Sequence, residues 1–103
     1  MVKLNTLADV TVTTAGTRVQ VTSTDTPCTT VIIQAKATNT GLVIVGDSSV
    51  SASRGIELSA GEEISIAADP SGRPGGEELN LADFWVDAAT NGDKVKVAYV
   101  KRR

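Results

Sequence analysis

The stretch Asn39-Thr40-Gly41-Leu42-Val43-Ile44-Val45-Gly46-Asp47 is followed, after a short polar segment, by Gly55-Ile56-Glu57-Leu58-Ser59-Ala60-Gly61-Glu62-Glu63-Ile64. Glycines bracket short runs rich in β-branched residues, and each run has about the length of one strand. This punctuation is typical of a compact all-β domain. The stretch indicates the architecture of the chain and contains no motif of a catalytic site.

The composition of the whole chain points the same way. Its 103 residues are the natural size of one domain. The apolar share of 41% consists almost entirely of Val, Ile, Leu and Ala, since Phe84, Trp85 and Tyr99 are the only aromatic residues. β-branched side chains pack well on pleated surfaces and lose freedom in helices. The composition therefore favours strands.

Two hairpins are predicted from alternating apolar residues. Residues 10–12 and 19–21 alternate on either side of the turn Ala15-Gly16, which is the pattern of a hairpin. Asn91-Gly92 is the strongest hairpin signal in the chain, because both central positions of its turn favour positive φ. Residues 94–99 alternate cleanly after it.

The run Val31-Ile32-Ile33 is nearly continuous and predicts a central strand covered on both faces. Residues 79–83 are expected to form a single helical turn. About eight short strands in all predict a single antiparallel β-sandwich, jelly-roll-like, over residues 8–103. Residues 1–7 are expected to form an N-terminal arm outside it. The expected core residues are Val10, Val12, Val19, Val21, Ile32, Val43, Val45, Ile56, Leu58, Ile64, Ile66, Val86, Val95, Val97 and Tyr99.

Charge and cysteine content limit the possible partners and compartments. The formal charge is -2, and only the tail Lys101-Arg102-Arg103 is basic, so no nucleic-acid partner is expected. Cys28 is the single cysteine; no intrachain disulfide can form, and a small structural side chain is expected there. The N-terminus lacks the apolar core of a signal peptide, and the run 42–45 is too short to span a bilayer. We expect folding in a reducing cytoplasm, with no membrane anchor.

The chain has no histidine, which removes the usual proton shuttle and the familiar histidine-dependent catalytic and zinc sites. Gly41 and Gly46 have the spacing of the two P-loop glycines, but Asp47-Ser48 stands where Lys and Ser or Thr are required. We therefore expect no catalytic residue, no cofactor and no metal, and thus no enzyme.

The carboxylates leave two alternatives open. Adjacent pairs such as Glu62-Glu63 point to opposite faces of a strand and are poor acid–base pairs. Asp83, Asp87, Asn91 and Asp93 lie closer to what a calcium site or a carboxylate-only enzyme would need. The plainer interpretation is that Asp83 caps a turn and Asp93 shapes the Asn91-Gly92 hairpin.

The candidate site residues are interface residues. Neighbours on a strand point opposite ways, so either Phe84 or Trp85 should face outward and could anchor a partner. Trp85 could alternatively stack on a sugar.

The expected arm adds Val2, Leu4 and Leu7, three apolar residues with no evident place in the sandwich. Arg73 lies in the Gly- and Pro-rich loop 69–76 and is the last candidate.

The pattern of motifs resembles that of small virion proteins of tailed bacteriophages. They carry Asn-x-Gly, a short strand, Val-Gly-Asp, Gly-x-x-Leu and a Gly-Glu turn, as between Asn39 and Glu62. Many end with Leu-x-Asp-aromatic-Val-Asp, an Asn-Gly-Asp turn and an alternating strand, as between Leu81 and Val100. The resemblance covers roughly residues 10–100. Ala60, where proline is commoner, and the loop 69–76 depart from it.

The resemblance implies a β-sandwich structural protein of a virion, made in the host cytoplasm. A domain without catalytic chemistry acts through its surfaces, so we expect a capsid decoration (cement) protein on the capsid exterior that binds the major capsid protein. A symmetric homo-oligomer, a trimer, would match the three-fold sites of a capsid lattice. A neck or tail adaptor and a carbohydrate-binding module of the virion are the alternatives.

Overall fold

The computed structural model describes the backbone of residues 2–68 and 79–102 and the side chains of residues 3–68 and 79–101. This part of the chain is all-β, with eleven strands, antiparallel pairing throughout and one 3-10 turn, η1. The elements are β1 (Val2–Thr6), β2 (Val10–Thr11), β3 (Val19–Gln20), β4 (Pro27–Cys28), β5 (Thr30–Ala35), β6 (Val43–Gly46), β7 (Ile56–Leu58), β8 (Glu63–Ala67), β9 (Leu79–Asn80), η1 (Leu81–Asp83), β10 (Trp85–Ala88) and β11 (Lys94–Arg102).

The strands form two main sheets. Sheet A has the order β1-β11-β5-β8, and β2 also pairs with β11. Sheet B has the order β3-β10-β6-β7, while β4 and β9 form a separate pair. Both main sheets contribute side chains to one buried cluster. Sheet A contributes Val31, Ile33, Val95 and Val97. Two antiparallel sheets that share a core are compatible with a β-sandwich.

Sheet B supplies Val43, Val45, Leu58, Val86 and Ala88 to the same cluster. Full burial of one Val, Leu or Ile side chain stabilises the folded state by about 1.5–3 kcal/mol. Most of the expected core residues lie in this cluster or pack against it. Ile32, Ile66 and Ile56 are corrections: Ile32 and Ile66 are partly exposed and Ile56 is 45% exposed.

The alternation of buried and partly exposed residues along β5 explains why Ile32 is not in the core. The buried residues of this strand are Val31, Ile33 and Ala35, and they alternate with partly exposed residues at 30, 32 and 34. The strand is interior, as expected, because it pairs with β11 and with β8. However, only one of its faces is covered by the core. The run of three aliphatic residues concealed this alternation.

The two predicted hairpins are wrong in their pairing. β2 pairs with β11, whereas β3 pairs with β10, so the residues around Ala15-Gly16 belong to different sheets. The Asn91-Gly92 turn likewise joins β10 of sheet B to β11 of sheet A. Gly92 has a positive φ of +85°, as the motif predicts, but Asn91 does not have the positive φ that was also expected. Both turns therefore connect sheets rather than neighbouring strands. The single helical turn expected at 79–83 is present only over Leu81–Asp83, as η1, because Leu79–Asn80 form strand β9.

The expected N-terminal arm is also a correction. Residues Val2–Thr6 are strand β1, in continuous antiparallel register with β11 from Val2↔Arg102 to Thr6↔Ala98. Pairing resumes at Val10↔Val95, so the edge strand carries one extra residue between Thr6 and Val10. This is the arrangement of a β-bulge. The apolar residues of the segment thus have a place at the edge of sheet A.

Candidate functional site

Two carboxylates are buried among the described residues, and both accept hydrogen bonds from the backbone. Asp87 is 2% exposed, and its Oδ1 accepts from the amides of Gly16 (3.0 Å) and Ala88 (2.7 Å). Asp93 is 4% exposed and accepts from the amides of Thr40 (3.1 Å) and Gly41 (2.9 Å). Carboxylates that bind amides in this way fix turns in place. Asp93 therefore fastens the turn 39–41, which the interpretation as a local hairpin residue had missed.

The other predicted acidic residue does not cap the helical turn. Asp83 is exposed at the end of η1, and the N-cap is Asn80, whose Oδ1 accepts from Ala82 N at 3.0 Å. The same oxygen accepts from Thr26 N at 3.0 Å. Within residues 2–68 and 79–102, no three His, Cys, Asp or Glu residues are placed to hold a metal ion.

The aromatic pair separates to opposite sides of sheet B. Phe84 packs against the core cluster. Trp85 is partly exposed, and the guanidinium carbon of Arg18 lies 5.9 Å from the centroid of its ring. This is the distance of a cation–π contact. Of the pair, Trp85 is the one placed on the outer surface, and Arg18 already covers one face of its indole.

Leu4 and Leu7, two apolar residues of the N-terminal segment, have different environments. Leu4 is 60% exposed and is the most exposed large hydrophobic residue among those described. Leu7 is partly buried and packs against the core. Val2 lies in β1. Arg73 and the loop 69–76 lie outside the described residues. Among the site residues whose side chains the structure describes, Leu4 is thus the one on the open face of sheet A.

The open face of sheet A carries an uncharged patch made of two rows of side chains. The ladder register aligns these rows across all four strands. One row is Leu4, Val100, Thr30 and Ala67, and the other is Thr6, Ala98, Ile32 and Ser65. We call these eight residues the two-row patch. Directly opposed residues of an antiparallel ladder share a face, so the patch is contiguous.

A charged row borders the two-row patch on one side. Lys96, Gln34 and Glu63 are aligned in the next register position. Asp9, from the bulge, lies 3.6 Å from Lys96 Nζ and 2.9 Å from Lys36 Nζ. A groove of about 330 Å³ runs between the two zones, lined by Thr6, Leu7, Asp9, Ile32, Gln34, Glu63, Lys96, Val97 and Ala98. The face therefore has an uncharged zone and a charged border.

The hydrogen bond from Lys36 holds the pKa of Asp9 below its ordinary value, with partial desolvation opposing and the charges of Lys36 and Lys96 assisting. The Asp9 side chain keeps 30% of its surface accessible, so solvent screens the pair. The bulge is what brings this carboxylate over the open face of sheet A. The pair makes the border of the patch an ordered charged zone instead of a set of free cations.

The two-row patch was missed from sequence because it is a property of register. Leu4, Val100 and Ile32 come from three strands distant along the chain, and no local motif joins them. The sequence signal for the patch is the alternation of side chains along β11 and β5. It places Ala98 and Ile32 on one face, and Val97 and Ile33 on the other.

Comparisons with protein-family models, with curated proteins and with solved structures each found no match to this chain. Across the described residues, no helical segment has the length and hydropathy that crossing a bilayer requires. The case for a function therefore rests on the surfaces described above and on the motif resemblance.

Proposed function

We propose that this chain is a structural protein of a tailed-bacteriophage virion, and that it is a capsid decoration (cement) protein. In this proposal it binds the major capsid protein on the exterior of the assembled head. Its fold is a jelly-roll-like sandwich, and it acts as a trimer. The motif resemblance between residues 10 and 100 supports the virion assignment. The two buried carboxylates support a structural role, because their oxygens hold turns.

The observation that carries the proposal is the two-row patch on the open face of sheet A. Its eight residues are uncharged, and Leu4 within it is 60% exposed. Charged residues border it at Lys96, Glu63 and Asp9. An apolar centre depleted of charge and bordered by polar groups is the arrangement of protein interfaces. We assign this patch to the contact with the shell.

The stabilising effect follows from mass action. A protein that binds the assembled shell but not its free subunits favours assembly by an amount that grows with its concentration over Kd. Repeated sites on a lattice multiply this effect, since each copy engages a further shell contact. No catalytic step is needed, and the required feature is an exposed surface of fixed shape.

The experiment compares two exposed aliphatic residues on different sheets. Leu4→Asp places a charge in the two-row patch, and Ile56→Asp places one on sheet B, where Ile56 is 45% exposed. Purified heads stripped of this protein are incubated with each variant and sedimented. Burying a leucine is worth about 1.5–3 kcal/mol, so Leu4→Asp should weaken retention about tenfold or more. Ile56→Asp should bind as the parent does.

Thermal melts of both variants establish that each is folded, so that a loss of binding does not come from unfolding. Equal loss of binding in folded Leu4→Asp and Ile56→Asp would contradict the assignment of the patch, and so would undiminished binding of Leu4→Asp. Failure of the wild-type chain to bind any head preparation would contradict the proposed function itself.

A further inference from the structure

We infer that copies of this chain associate head to tail through the two edges of sheet A, with β1 of one copy adding as a strand to β8 of the next. The occupant of each edge is therefore a second copy of the same chain. The inference concerns the isolated protein and does not rest on the proposed virion role.

Both edges are open within the described part of the chain. β1 pairs only with β11, and β8 pairs only with β5. Every neighbouring pair in the sheet is antiparallel, so β1 and β5 run one way while β11 and β8 run the other. When two copies have the same orientation, β8 and the incoming β1 therefore meet as antiparallel strands. Addition of a strand to an open edge is a recurring mode of protein recognition.

The outward backbone groups of the two edges match in number. Leu7 N donates to Val97 O, and hydrogen bonding alternates along an antiparallel ladder, so Val2, Leu4 and Thr6 point their amides and carbonyls away from β11. On β8, Ala35 N donates to Glu62 O and Ala68 N donates to Thr29 O. By the same alternation, residues 63, 65 and 67 present their backbone groups outward.

The pleats of the two edges also match. Leu4 and Thr6 lie on the open face of sheet A, in the same rows as Ala67 and Ser65. Pairing Leu4 with Ser65, Val2 with Ala67 and Thr6 with Glu63 uses every outward residue of both strands. Each such pair can exchange two hydrogen bonds. It would also continue the two-row patch from one copy into the next and cover part of the exposed Leu4 side chain.

The charges on the two edges favour pairing of β1 with β8 over pairing of β1 with β1 or of β8 with β8. β1 carries Lys3, whose register partner is Lys101. β8 begins with Glu63 and follows Glu62. Pairing of β1 with β1 would put only lysines on the seam and pairing of β8 with β8 only glutamates, whereas pairing of β1 with β8 puts charges of both signs on it. Like charges across a seam are unfavourable. The combination that avoids both is a heterologous contact, which generates closed rings when the rotation between copies closes.

A short edge pairing buries less surface than the roughly 1,200–2,000 Å² of a stable interface, so the test traps it covalently. Chains with Leu4→Cys and chains with Ser65→Cys are prepared, one of them carrying a mass tag, and are mixed under mild oxidation. A hydrogen-bonded antiparallel pair has Cα atoms about 5.5 Å apart, within the range that a disulfide bridges. The mixture should yield tagged–untagged covalent dimers at least tenfold above either variant alone.

Two controls make the outcome specific. Ser53→Cys, on an exposed loop residue, replaces Ser65→Cys and should give only the background yield with Leu4→Cys. Ala67→Pro is added to the Ser65→Cys chain, because proline at an outward-facing position removes an edge donor and leaves the ladder with β5 intact. It should reduce the cross-link yield at least tenfold while the melt shows a folded chain.

Three results would overturn the inference. The first is absence of cross-linking in the Leu4→Cys and Ser65→Cys mixture. The second is an equal yield in the single-variant samples, which would indicate like-edge or random contact. The third is an equal yield with the Ser53→Cys control. Oxidation of a chain carrying both cysteines should give a covalent series that ends at a closed ring, with three times the 10.6 kDa of one chain for a trimer.

Discussion

The Asp93 carboxylate accepts a hydrogen bond from the backbone amide of Gly41, with Oδ2 2.9 Å from the nitrogen. The neighbouring Asn39 side chain pairs with the backbone of Lys94, donating to its carbonyl at 2.8 Å and accepting from its amide at 2.9 Å. Two motifs separated by about fifty residues in sequence are thus one hydrogen-bonded unit at the start of β11. This unit sets where the turn 39–41 lies before β6 begins.

Asp93→Ala should lower the free energy of unfolding by about 2–4 kcal/mol, because the partly buried amides of Thr40 and Gly41 lose their charged acceptor. Urea unfolding followed by Trp85 fluorescence measures the change. Asp83→Ala is the matched control, since Asp83 is exposed, and it should alter stability by about 0.5 kcal/mol or less. Similar losses in both variants would contradict the structural role of Asp93.

Gly41→Ala should destabilise the chain through a steric conflict with Thr90. A Cβ at position 41 would lie 2.5 Å from Thr90 Oγ1, and 3.4 Å from Thr90 Cβ. The double variant Gly41→Ala, Thr90→Ala should recover most of the loss, because the closest atom is gone. A double-mutant cycle measures the coupling, which for contacting residues is about 0.5–3 kcal/mol. Additive effects of the two substitutions would show that the close approach is not what requires glycine.

Ile33 and Ile32 are chemically identical neighbours on opposite faces of β5. Ile33 is 1% exposed in the core, and Ile32 belongs to the two-row patch. Ile33→Ala should cost about 2–5 kcal/mol, as large-to-small core substitutions do. Ile32→Ala should cost about 1 kcal/mol, since its side chain is covered on one side only. Denaturant midpoints with unchanged m-values check the pair, and equal losses would refute the phase of β5.

The ion pair at the bulge should be visible in the pH dependence of stability. The hydrogen bond from Lys36 lowers the pKa of Asp9 below its ordinary value of 3.8. A group whose pKa is lowered on folding contributes stability above its unfolded pKa and loses it as the pH falls through the folded pKa. The stability difference between wild type and Asp9→Asn should therefore be present near neutral pH and disappear in strong acid.

High salt should reduce the same difference at neutral pH, because Asp9 is partly accessible to solvent. Thermal melts across the acidic range, with and without added salt, measure both effects. A difference between wild type and Asp9→Asn that stays constant with pH would show that the pair with Lys36 does not form in solution.

The fold class followed from local sequence, whereas the pairing of strands did not. β-branched runs and turn residues place β5, β6, β10 and β11 correctly, since they act over a few residues. The turns at Ala15-Gly16 and Asn91-Gly92 were also located, but the sheets that they connect depend on contacts distant in sequence. A turn motif specifies a change of direction, and the same motif serves a hairpin and a crossing between sheets.

Gly55, which neighbouring side chains approach closely, shows a similar limit of prediction from sequence. Gly55 has a φ of +144°, and a Cβ there would meet Ile44 at 2.6 Å and Val50 at 2.9 Å. The segment 47–55 thus covers Ile44 on the outer side of sheet B, where both Ile44 and Val50 are 2% exposed. The sequence of this segment is mostly small and polar, and Val50 is a single apolar residue among serines, so its composition does not predict that it packs on the sheet.

The candidate site was predictable only in part. Leu4 and Trp85 were selected as apolar or aromatic residues without an evident core role, and both have exposed surface. Phe84 and Leu7 were selected by the same argument and pack against the core. Sequence alone could not separate the two groups, because burial of an edge residue depends on which strands lie beside it.

The number of copies of this chain per purified virion tests the central claim most directly. Quantitative mass spectrometry of particles, normalised to the major capsid protein, gives that number. A decoration protein on a repeating shell lattice should be present at on the order of hundreds of copies, with three chains for each three-fold site that a trimer occupies. About six or twelve copies, as a single closed ring at the neck or tail would give, would contradict the capsid assignment, and absence from the particle would contradict the virion role altogether.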